Sequence, residues 1–204
     1  MTGETADARA SRMPLVGSLE VLRSVRRDDE IVIPTMGTAR EWMKLGDPHP
    51  LDFVLVPSAM GHGTSIGLGM ALARPDRRVI VCSGDGSLLM NLGSLASIVA
   101  SGATNLVVLV FDNGVYEVTG AQPTAGAAVD FTAVARGCGF TSVHRFGAAA
   151  EWQANARRVL DAKGPTLVAL DVEPVVGGTA PHSPGPNVAR AAAFRKALGA
   201  PALR

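Results

Sequence analysis

Short apolar runs alternate along the chain with stretches of helical periodicity. The runs are apolar throughout, which is typical of strands buried on both faces of a parallel sheet. They predict strands at Ile31–Pro34, Phe53–Val56, Arg78–Cys82, Asn105–Phe111, Ser142–Phe146 and Thr166–Val172. Helices are predicted at Leu19–Arg26, Ala39–Leu45, Thr64–Ala73, Leu88–Ser101, Phe131–Arg136 and Ala148–Ala162. This order predicts an α/β fold, a three-layer αβα sandwich around a mainly parallel sheet of about six strands.

The two ends of the chain differ from this middle part. Residues 1–12 are polar and predict a mobile leader, whereas residues 13–173 form the predicted domain. Residues 174–204 predict a tail that is rich in proline and glycine as far as Pro186. The tail then continues into a short amphipathic helix at Asn187–Leu198, with Asn187 as its cap.

Composition and charge exclude several classes of protein. A chain of 204 residues with 47% hydrophobic and 18% charged residues predicts one domain whose core needs no disulfide. The net charge of +1, without any basic run, argues against nucleic acid as a partner, and the apolar runs are too short to span a membrane. Cys82 and Cys138 lie in apolar stretches and predict buried reduced thiols. Because no apolar signal segment opens the chain, we expect a cytoplasmic location.

Candidate chemistry lies where predicted strands end, since parallel sheets bind ligands at that edge. Three such junctions carry glycine or polar residues, namely Ser58–Gly69, Ser83–Ser87 and Asp112–Tyr116. Asp85 offers a carboxylate, Asn113 an amide oxygen and the turn at Gly114 a main-chain carbonyl, and hard divalent cations prefer such oxygen ligands. Free N–H groups at Gly86 and Ser87 suit a phosphate oxygen. Together these residues predict a diphosphate that is bridged to the protein by a metal ion.

The spacing of two of these junctions resembles a known family. Gly84-Asp85-Gly86 is followed by 25 residues and then by Asp112-Asn113. This arrangement resembles the motif of thiamine-diphosphate-dependent enzymes, in which Gly-Asp-Gly is followed at about this distance by Asn-Asn. Asp112 departs from the family pattern, but the family's metal ligand is the second residue of the pair, which matches Asn113.

The resemblance implies thiamine diphosphate and Mg²⁺ as cofactors. It implies that Asp85, the side chain of Asn113 and the main-chain carbonyl of Val115 hold the metal. Met60, 25 positions before Asp85, matches the apolar residue that supports the bent cofactor, and it is a catalytic candidate together with His62. The candidate cofactor-binding residues are Ser58, Met60, Gly84, Asp85, Gly86, Ser87, Asn113, Val115, Tyr116 and Thr38.

A narrower resemblance rests on Ser58–Gly63 and Pro34–Glu41. Both stretches are similar to the small subunits of sulfopyruvate decarboxylase and to the C-terminal half of phosphonopyruvate decarboxylase, and the resemblance covers roughly residues 30–173. It implies a carboxy-lyase that converts a small 2-oxo acid of the sulfopyruvate or phosphonopyruvate type to an aldehyde. Thr38, Arg40 and His62 are candidates for binding the anionic group of that substrate.

The resemblance also implies a partner. Full-length enzymes of the family carry a second domain whose glutamate bonds the pyrimidine ring, and 204 residues leave no room for that domain. We therefore expect a separate pyrimidine-binding α subunit that supplies the activating glutamate. The expected assembly is an α2β2 heteromer or larger, in which this chain is active only with its partner.

Other interpretations remain open at this point. A carboligating thiamine enzyme of the acetolactate synthase type would share the same cofactor residues. Gly61-x-Gly63-x-x-x-Gly67 approximates a dinucleotide-binding pattern, with Asp85 as the ribose-binding acid. A scaffold subunit that lost catalysis is a third alternative. For single residues, Glu117 is predicted to be a solvated loop acid and, alternatively, a proton donor near the site, while His182 is predicted to be structural or exposed.

Overall fold

The computed structural model describes residues 12–54, 60–175, 177 and 185–199. The strands are β1 (Met13–Pro14), β2 (Ile31–Pro34), β3 (Val79–Gly84), β4 (Leu106–Asp112), β5 (Val115–Tyr116), β6 (Gln122–Pro123), β7 (Ser142–Phe146) and β8 (Thr166–Glu173). The helices are α1 (Leu15–Val25), α2 (Met36–Trp42), α3 (Gly63–Ala73), α4 (Asp85–Leu89), α5 (Ser94–Ala100), α6 (Phe131–Cys138), α7 (Ala149–Asp161) and α8 (Asn187–Ala197). A short 3-10 helix spans Ala125–Ala128. Within these described ranges, none of the helices has the length and apolarity to cross a bilayer.

A six-stranded parallel sheet forms the centre of the fold. Its order is β1-β8-β4-β3-β2, and β7 also pairs with β8. Both β1 and β7 lie on the side of β8 away from β4, since β7 pairs along Thr166–Leu170 and β1 pairs at Val172 and Glu173. The parallel α/β sheet of about six strands is therefore confirmed.

Helices cover both faces of the sheet and create two hydrophobic cores. Alternate residues of β3 point to opposite faces, so Ile80 packs with the first core and Val81 with the second. The first core is completed by α1, α2 and α7, and its largest side chains include Leu19, Trp42 and Trp152. The second core is completed by α3, α4, α5 and α6. The predicted three-layer sandwich follows directly from this alternation.

Close contact between α3 and the sheet depends on glycine. A Cβ atom at Gly67 would lie 2.3 Å from Cγ2 of Val81, and one at Gly63 would lie 2.8 Å from Cγ2 of Thr35. Because such distances are shorter than van der Waals contact, larger residues would push the helix off β2 and β3. Packing thus accounts for these two glycines of the dinucleotide-like pattern.

Local hydrogen bonds fix the ends of several helices. α6 begins after Asp130, whose side chain accepts from the main-chain N–H groups of Thr132 and Ala133, and it ends at Gly139 with φ of +100°. α2 begins with a capping box in which the side chains of Thr35 and Thr38 each bond the other residue's main chain.

Several expectations about the elements are wrong. Phe53 and Val54 lie outside any strand, and only a single bridge joins Asp52 to Val32; the remainder of that predicted strand lies outside the described residues. β1 supplies the sixth strand of the sheet instead. Asn187 is the first residue of α8 and does not cap it, since the capping position belongs to Pro186 and has no side-chain hydrogen bond.

The predicted helix at Leu88–Ser101 is two helices, α4 and α5, separated by a turn. Asn91 holds this turn, because its side-chain amide donates to the carbonyl of Gly61 at 2.9 Å and to the hydroxyl of Ser65 at 3.2 Å. A long-range contact therefore overrides the helical periodicity. α4 also begins earlier than predicted, at Asp85 itself.

The C-terminal helix α8 packs beside the irregular segment at Phe53. The rings of Phe53 and Phe194 lie 4.8 Å apart, and Arg190 donates to the carbonyl of Val54. Phe194 is buried, while most other residues of α8 are exposed. The two cysteines are free: Cys82 is buried as predicted, whereas Cys138 is only partly buried.

Candidate functional site

A pocket lies at the carboxyl ends of β3 and β4, where the topology brings the predicted site residues together. Its lining includes Thr38, Met60, Gly84, Asp85, Gly86, Ser87, Asn113, Val115 and Tyr116, all of which the sequence identified as candidates. The same lining includes Leu15, Met36, Gly37, Phe111, Glu117 and Val118, which the sequence did not assign to the cofactor.

The remaining cofactor and catalytic candidates are Ser58 and His62, and His62 does not belong to this lining. Ser58 lies outside the described residues. His62 is exposed at the start of α3, and its Nδ1 atom lies 2.9 Å from the main-chain carbonyl of Met60. A direct catalytic role for His62 gains no support from this position, whereas Met60 itself faces the pocket.

Asp85 is a buried acid of the pocket, with 1% of its surface exposed. Its Oδ2 atom accepts a hydrogen bond from the hydroxyl of Thr124. Burial raises the pKa of the Asp85 carboxyl, an effect that is opposed by the Thr124 bond and by main-chain N–H groups including those of Gly86 and Asn113. Among the described residues, no basic side chain pairs with Asp85, so a buried carboxylate faces the pocket with neutral donors as its partners.

Asn113 lies beside Asp85 and is 7% exposed. Its Oδ1 atom accepts from the main-chain N–H of Val115 at 3.0 Å, and its Nδ2 atom donates to Oε1 of Glu117 at 2.8 Å. Gly114 lies within this side-chain turn, and its φ of +77° is readily accessible to glycine. The carbonyl of Asn113 accepts from Arg12 at 3.1 Å, so the chain before β1 also reaches the site.

A hairpin of β5 and β6 carries Thr124 to Asp85. Val115 pairs with Pro123 and Tyr116 with Gln122, and the hairpin packs tightly against the start of α4. A Cβ atom at Gly86 would lie 2.3 Å from Cε1 of Tyr116, and one at Gly126 would lie 2.6 Å from Oδ2 of Asp85. Both glycines therefore permit close approach of chain segments at the acid. Sequence reasoning missed Thr124 and Gly126, which follow the third junction without an apolar run to mark them.

The side chain of Glu117 is buried in the pocket, so the prediction of Glu117 as a solvated loop acid is wrong. Its carboxylate accepts from Asn113, from the main-chain N–H of Val175 at 2.7 Å and from Arg40 at 3.2 Å. Burial raises the pKa of the Glu117 carboxyl against the opposing influence of these donors. Glu117 thus connects three segments by hydrogen bonds: Asn113, helix α2 and the chain after β8.

Two residues that were predicted to bind an anionic group of the substrate, Arg40 and Thr38, form hydrogen bonds within the protein. Arg40 donates to Glu41, to Glu117 and to the carbonyl of Val175, and it is absent from the pocket lining. The hydroxyl of Thr38 bonds the carbonyls of Thr35 and Cys82 within the α2 capping arrangement, although the residue lines the pocket. At the same place, Met36 has φ of +51°, a strained conformation that turns the chain from β2 into α2.

Asp112, which departs from the family motif, belongs to an ionic group beside the pocket. Its Oδ2 atom lies 3.4 Å from Nη2 of Arg145, and Arg145 also makes two hydrogen bonds with Asp171 at 2.5 and 2.9 Å. Asp112 and Asp171 are register partners at the ends of β4 and β8. Arg145 therefore balances two neighbouring buried carboxylates.

The donor set fits a hard divalent cation. Asp85 and Asn113 present oxygen atoms at the ends of adjacent strands, and Val115 follows in the same pocket. Within the described ranges no group of three or more His, Cys, Asp or Glu residues could hold a metal ion. The pocket offers one carboxylate together with amide and carbonyl oxygens. A soft-metal site of cysteine and histidine ligands has no counterpart in these same parts of the chain.

Comparison with known proteins gives a consistent result. Residues 36–170 match the family model described as "Thiamine pyrophosphate enzyme, C-terminal TPP binding domain". The chain is 42% identical over 166 residues to phosphonopyruvate decarboxylase of Streptomyces viridochromogenes, covering 81% of this chain and 41% of that protein. It is 38% identical over 162 residues to sulfopyruvate decarboxylase subunit beta of Methanothermobacter thermautotrophicus, covering 76% of this chain and 83% of that subunit.

A solved structure shares the fold. A thiamin diphosphate-dependent enzyme from Mycobacterium smegmatis, described as putative, superposes with a TM-score of 0.67 at 23% identity. The superposition covers 79% of this chain and 32% of that protein. Thus the chain spans about two fifths of the phosphonopyruvate decarboxylase that it matches, about a third of this structural neighbour and most of the sulfopyruvate decarboxylase subunit.

Proposed function

Because the chain belongs to the thiamine pyrophosphate enzymes, as a C-terminal TPP binding domain, we propose that its pocket binds thiamine diphosphate through Mg²⁺. Asp85, the side-chain oxygen of Asn113 and the main-chain carbonyl of Val115 would hold the cation. The observation that carries this proposal is the buried Asp85 carboxylate, which faces the pocket without a basic partner in the described part of the chain. A bound cation would supply the missing positive charge.

The remaining pocket residues have complementary tasks in this proposal. Gly84, Gly86 and Ser87 form the start of α4, where main-chain N–H groups would receive the diphosphate. The hydroxyl of Ser87 accepts from the N–H of Gly61 at 3.0 Å. This bond fixes the turn at residues 60–62, here called the Met60 turn, beside α4. Met60, Thr38 and Tyr116 would contact the rest of the cofactor, with Met60 as the apolar support.

We further propose that the reaction is decarboxylation of a small 2-oxo acid. The names of the relatives support sulfopyruvate or phosphonopyruvate as the type of substrate, since both classes match over about four fifths of the chain. When bound, thiamine diphosphate supplies the nucleophilic carbon and the electron sink for loss of carbon dioxide. The protein's own contribution is to hold the cofactor between the Met60 turn and the start of α4, in a pocket walled by Leu15 and Phe111.

A separate subunit would complete the enzyme in this proposal. Several relatives are named as the beta subunit of sulfopyruvate decarboxylase, which supports the existence of a separate partner subunit. We propose that this α subunit carries the pyrimidine-binding domain and the activating glutamate. We propose an α2β2 heteromer or larger. A cytoplasmic setting is proposed as well, and it accords with the free Cys82 and Cys138.

The test is an assay of the full chain, alone and co-expressed with a candidate α subunit, with Mg²⁺ and thiamine diphosphate present. Release of carbon dioxide and aldehyde is measured with sulfopyruvate and with phosphonopyruvate. The control is the Asn113→Ala variant, assayed alone and co-expressed with the same α subunit. We expect activity in the co-expressed wild-type sample alone. If calorimetry detects cofactor binding but neither substrate is turned over, the substrate assignment is overturned. Condensation of two substrate molecules would indicate carboligation. If no cofactor binds, the cofactor site itself is overturned.

A further inference from the structure

Glu117 is the buried group that the proposed function leaves without a task. Its Oε1 atom receives hydrogen bonds from Nδ2 of Asn113 and from the N–H of Val175, and its Oε2 atom receives one from Arg40. Oε2 also lies 2.7 Å from the position of a Cβ atom on Gly37, so α2 confines the carboxylate closely. With 3% of its side chain exposed, Glu117 has little freedom to reorient.

This position determines the orientation of the Asn113 amide. A carboxylate only accepts hydrogen bonds, so the amide must turn its Nδ2 atom toward Glu117. The opposite orientation would set Oδ1 against the carboxylate and Nδ2 against the N–H of Val115, which are two repulsive contacts. Oδ1 is thereby held on the far side of the amide, where the Val115 bond uses one of its two acceptor sites.

We propose that Glu117 is a positioning residue that aims Oδ1 of Asn113 at the cation. The inference rests on the proposed function, because it assumes the cation site at Asp85 and Asn113. Groups that hydrogen-bond a metal ligand fix its orientation, and removing such a group lowers metal affinity by roughly 10–100-fold. Glu117 acts in this way through Asn113, while Arg40 and the N–H of Val175 hold Glu117 in turn.

A competing explanation is that Glu117 merely adds negative charge near the cation. The two explanations differ for Glu117→Gln. A glutamine can turn its Oε1 atom toward Nδ2 of Asn113 and keep the amide orientation, but it lacks the charge. Orientation therefore predicts that Glu117→Gln binds the cation more nearly like the wild type, whereas charge predicts that it binds as weakly as Glu117→Ala.

Glu41 provides a matched control. It is a second buried carboxylate on the same guanidinium, since Arg40 donates to it at 2.8 Å. None of the hydrogen bonds of Glu41 in the described chain reaches Asn113. Replacing Glu41 therefore perturbs the Arg40 network without touching the amide.

The experiment measures Tb³⁺ bound to the full-length chain, by luminescence that a nearby tyrosine sensitises, followed by displacement with Mg²⁺. Tyr116 is the one tyrosine of the sequence and adjoins Val115, so Tyr116→Phe tests whether the signal arises at this site. We expect roughly 10–100-fold weaker binding in Glu117→Ala, partial recovery in Glu117→Gln and wild-type binding in Glu41→Gln. Circular dichroism verifies the fold of each variant.

Each result separates the two proposals. A wild-type chain without a saturable signal, or with a signal that survives Asp85→Ala, overturns the cation site and the role of Glu117 with it. Wild-type affinity in Glu117→Ala overturns the role of Glu117 alone. Equal losses in Glu117→Gln and Glu117→Ala assign the effect to charge, and equal losses in Glu41→Gln and Glu117→Gln assign it to the Arg40 network. The Glu117→Gln and Glu41→Gln pair remains decisive where Glu117→Ala does not fold.

Discussion

Two buried carboxylates, one at each end of the central sheet, are stabilised in different ways. At the amino end, Glu30 is 2% exposed and receives two hydrogen bonds from Arg157, at 2.8 and 3.1 Å, and one from the N–H of Arg27. At the carboxyl end, Asp85 is equally buried but bonds the Thr124 hydroxyl and main-chain N–H groups. Hydrogen-bond donors satisfy both groups, yet only Glu30 has a cationic partner from the described chain.

The contrast teaches where to look for function in such a sheet. A buried carboxylate that is paired with arginine has its charge balanced by the fold, so it needs no cation from outside. A buried carboxylate with neutral donors still favours a positive charge from outside, and its pocket gives that charge access. Burial alone does not distinguish Asp85 from Glu30, whereas the identity of the partners does.

Replacement of Asp85 should have the largest effect on ligand binding. In Asp85→Ala we expect metal-dependent binding of thiamine diphosphate to fall below detection, because the charged ligand is removed, while the thermal midpoint stays close to that of the wild type. Calorimetry with Mg²⁺ and differential scanning calorimetry measure the two quantities. Unchanged cofactor affinity would contradict the cation site and erase the contrast between the two ends.

Replacement of Glu30 should have the reverse effect. Glu30→Ala leaves Arg157 without this partner, and loss of hydrogen bonds to a charged group is expected to lower the free energy of unfolding by about 1.5–3 kcal/mol. Urea denaturation measures this change, and cofactor affinity in the folded variant should remain within about twofold of the wild type, since Glu30 lies at the opposite end of the sheet. A large loss of affinity at constant stability would show that the two ends are not independent.

A pair of threonines tests the contrast at a finer scale. Thr124→Val removes the hydroxyl that bonds Asp85 and the acceptor for the N–H of Gly126, so we expect a loss of about 1 kcal/mol in stability. Thr166 begins β8 at the amino end, and its buried hydroxyl has no hydrogen-bond partner within the described residues. Thr166→Val should therefore be neutral or stabilising, by about 1 kcal/mol at most. Equal destabilisation of both variants, measured by urea denaturation, would contradict this assignment.

The sequence predicted those parts of the fold and site that local pattern determines. The interiors of β3 and β4 are continuous apolar runs, so their ends located Asp85 and Asn113 correctly. Thr124 and Glu117 were missed or misjudged because contacts between distant segments give them their roles. Thr124 reaches Asp85 through two strands of two residues each, and Glu117 is buried by Arg40 and Val175.

The same reason accounts for the errors in secondary structure. The break between α4 and α5 depends on the contact of Asn91 with Gly61 in the Met60 turn. The strand β1 exists because Met13 and Pro14 pair with the end of β8. Two-residue strands carry no periodicity for a sequence pattern to reveal. Propensity described the central elements well, whereas tertiary contacts decided the connections around the pocket.

The contact between Arg12 and the carbonyl of Asn113 has a consequence for protein engineering. The chain enters this domain at the edge where the pocket opens, and β1 continues along the end of β8. A polypeptide fused upstream of Arg12 would therefore emerge beside the pocket. A short flexible tether there would keep a fused domain at an effective concentration on the order of millimolar, so a fusion to the proposed α subunit needs no long linker across the sheet.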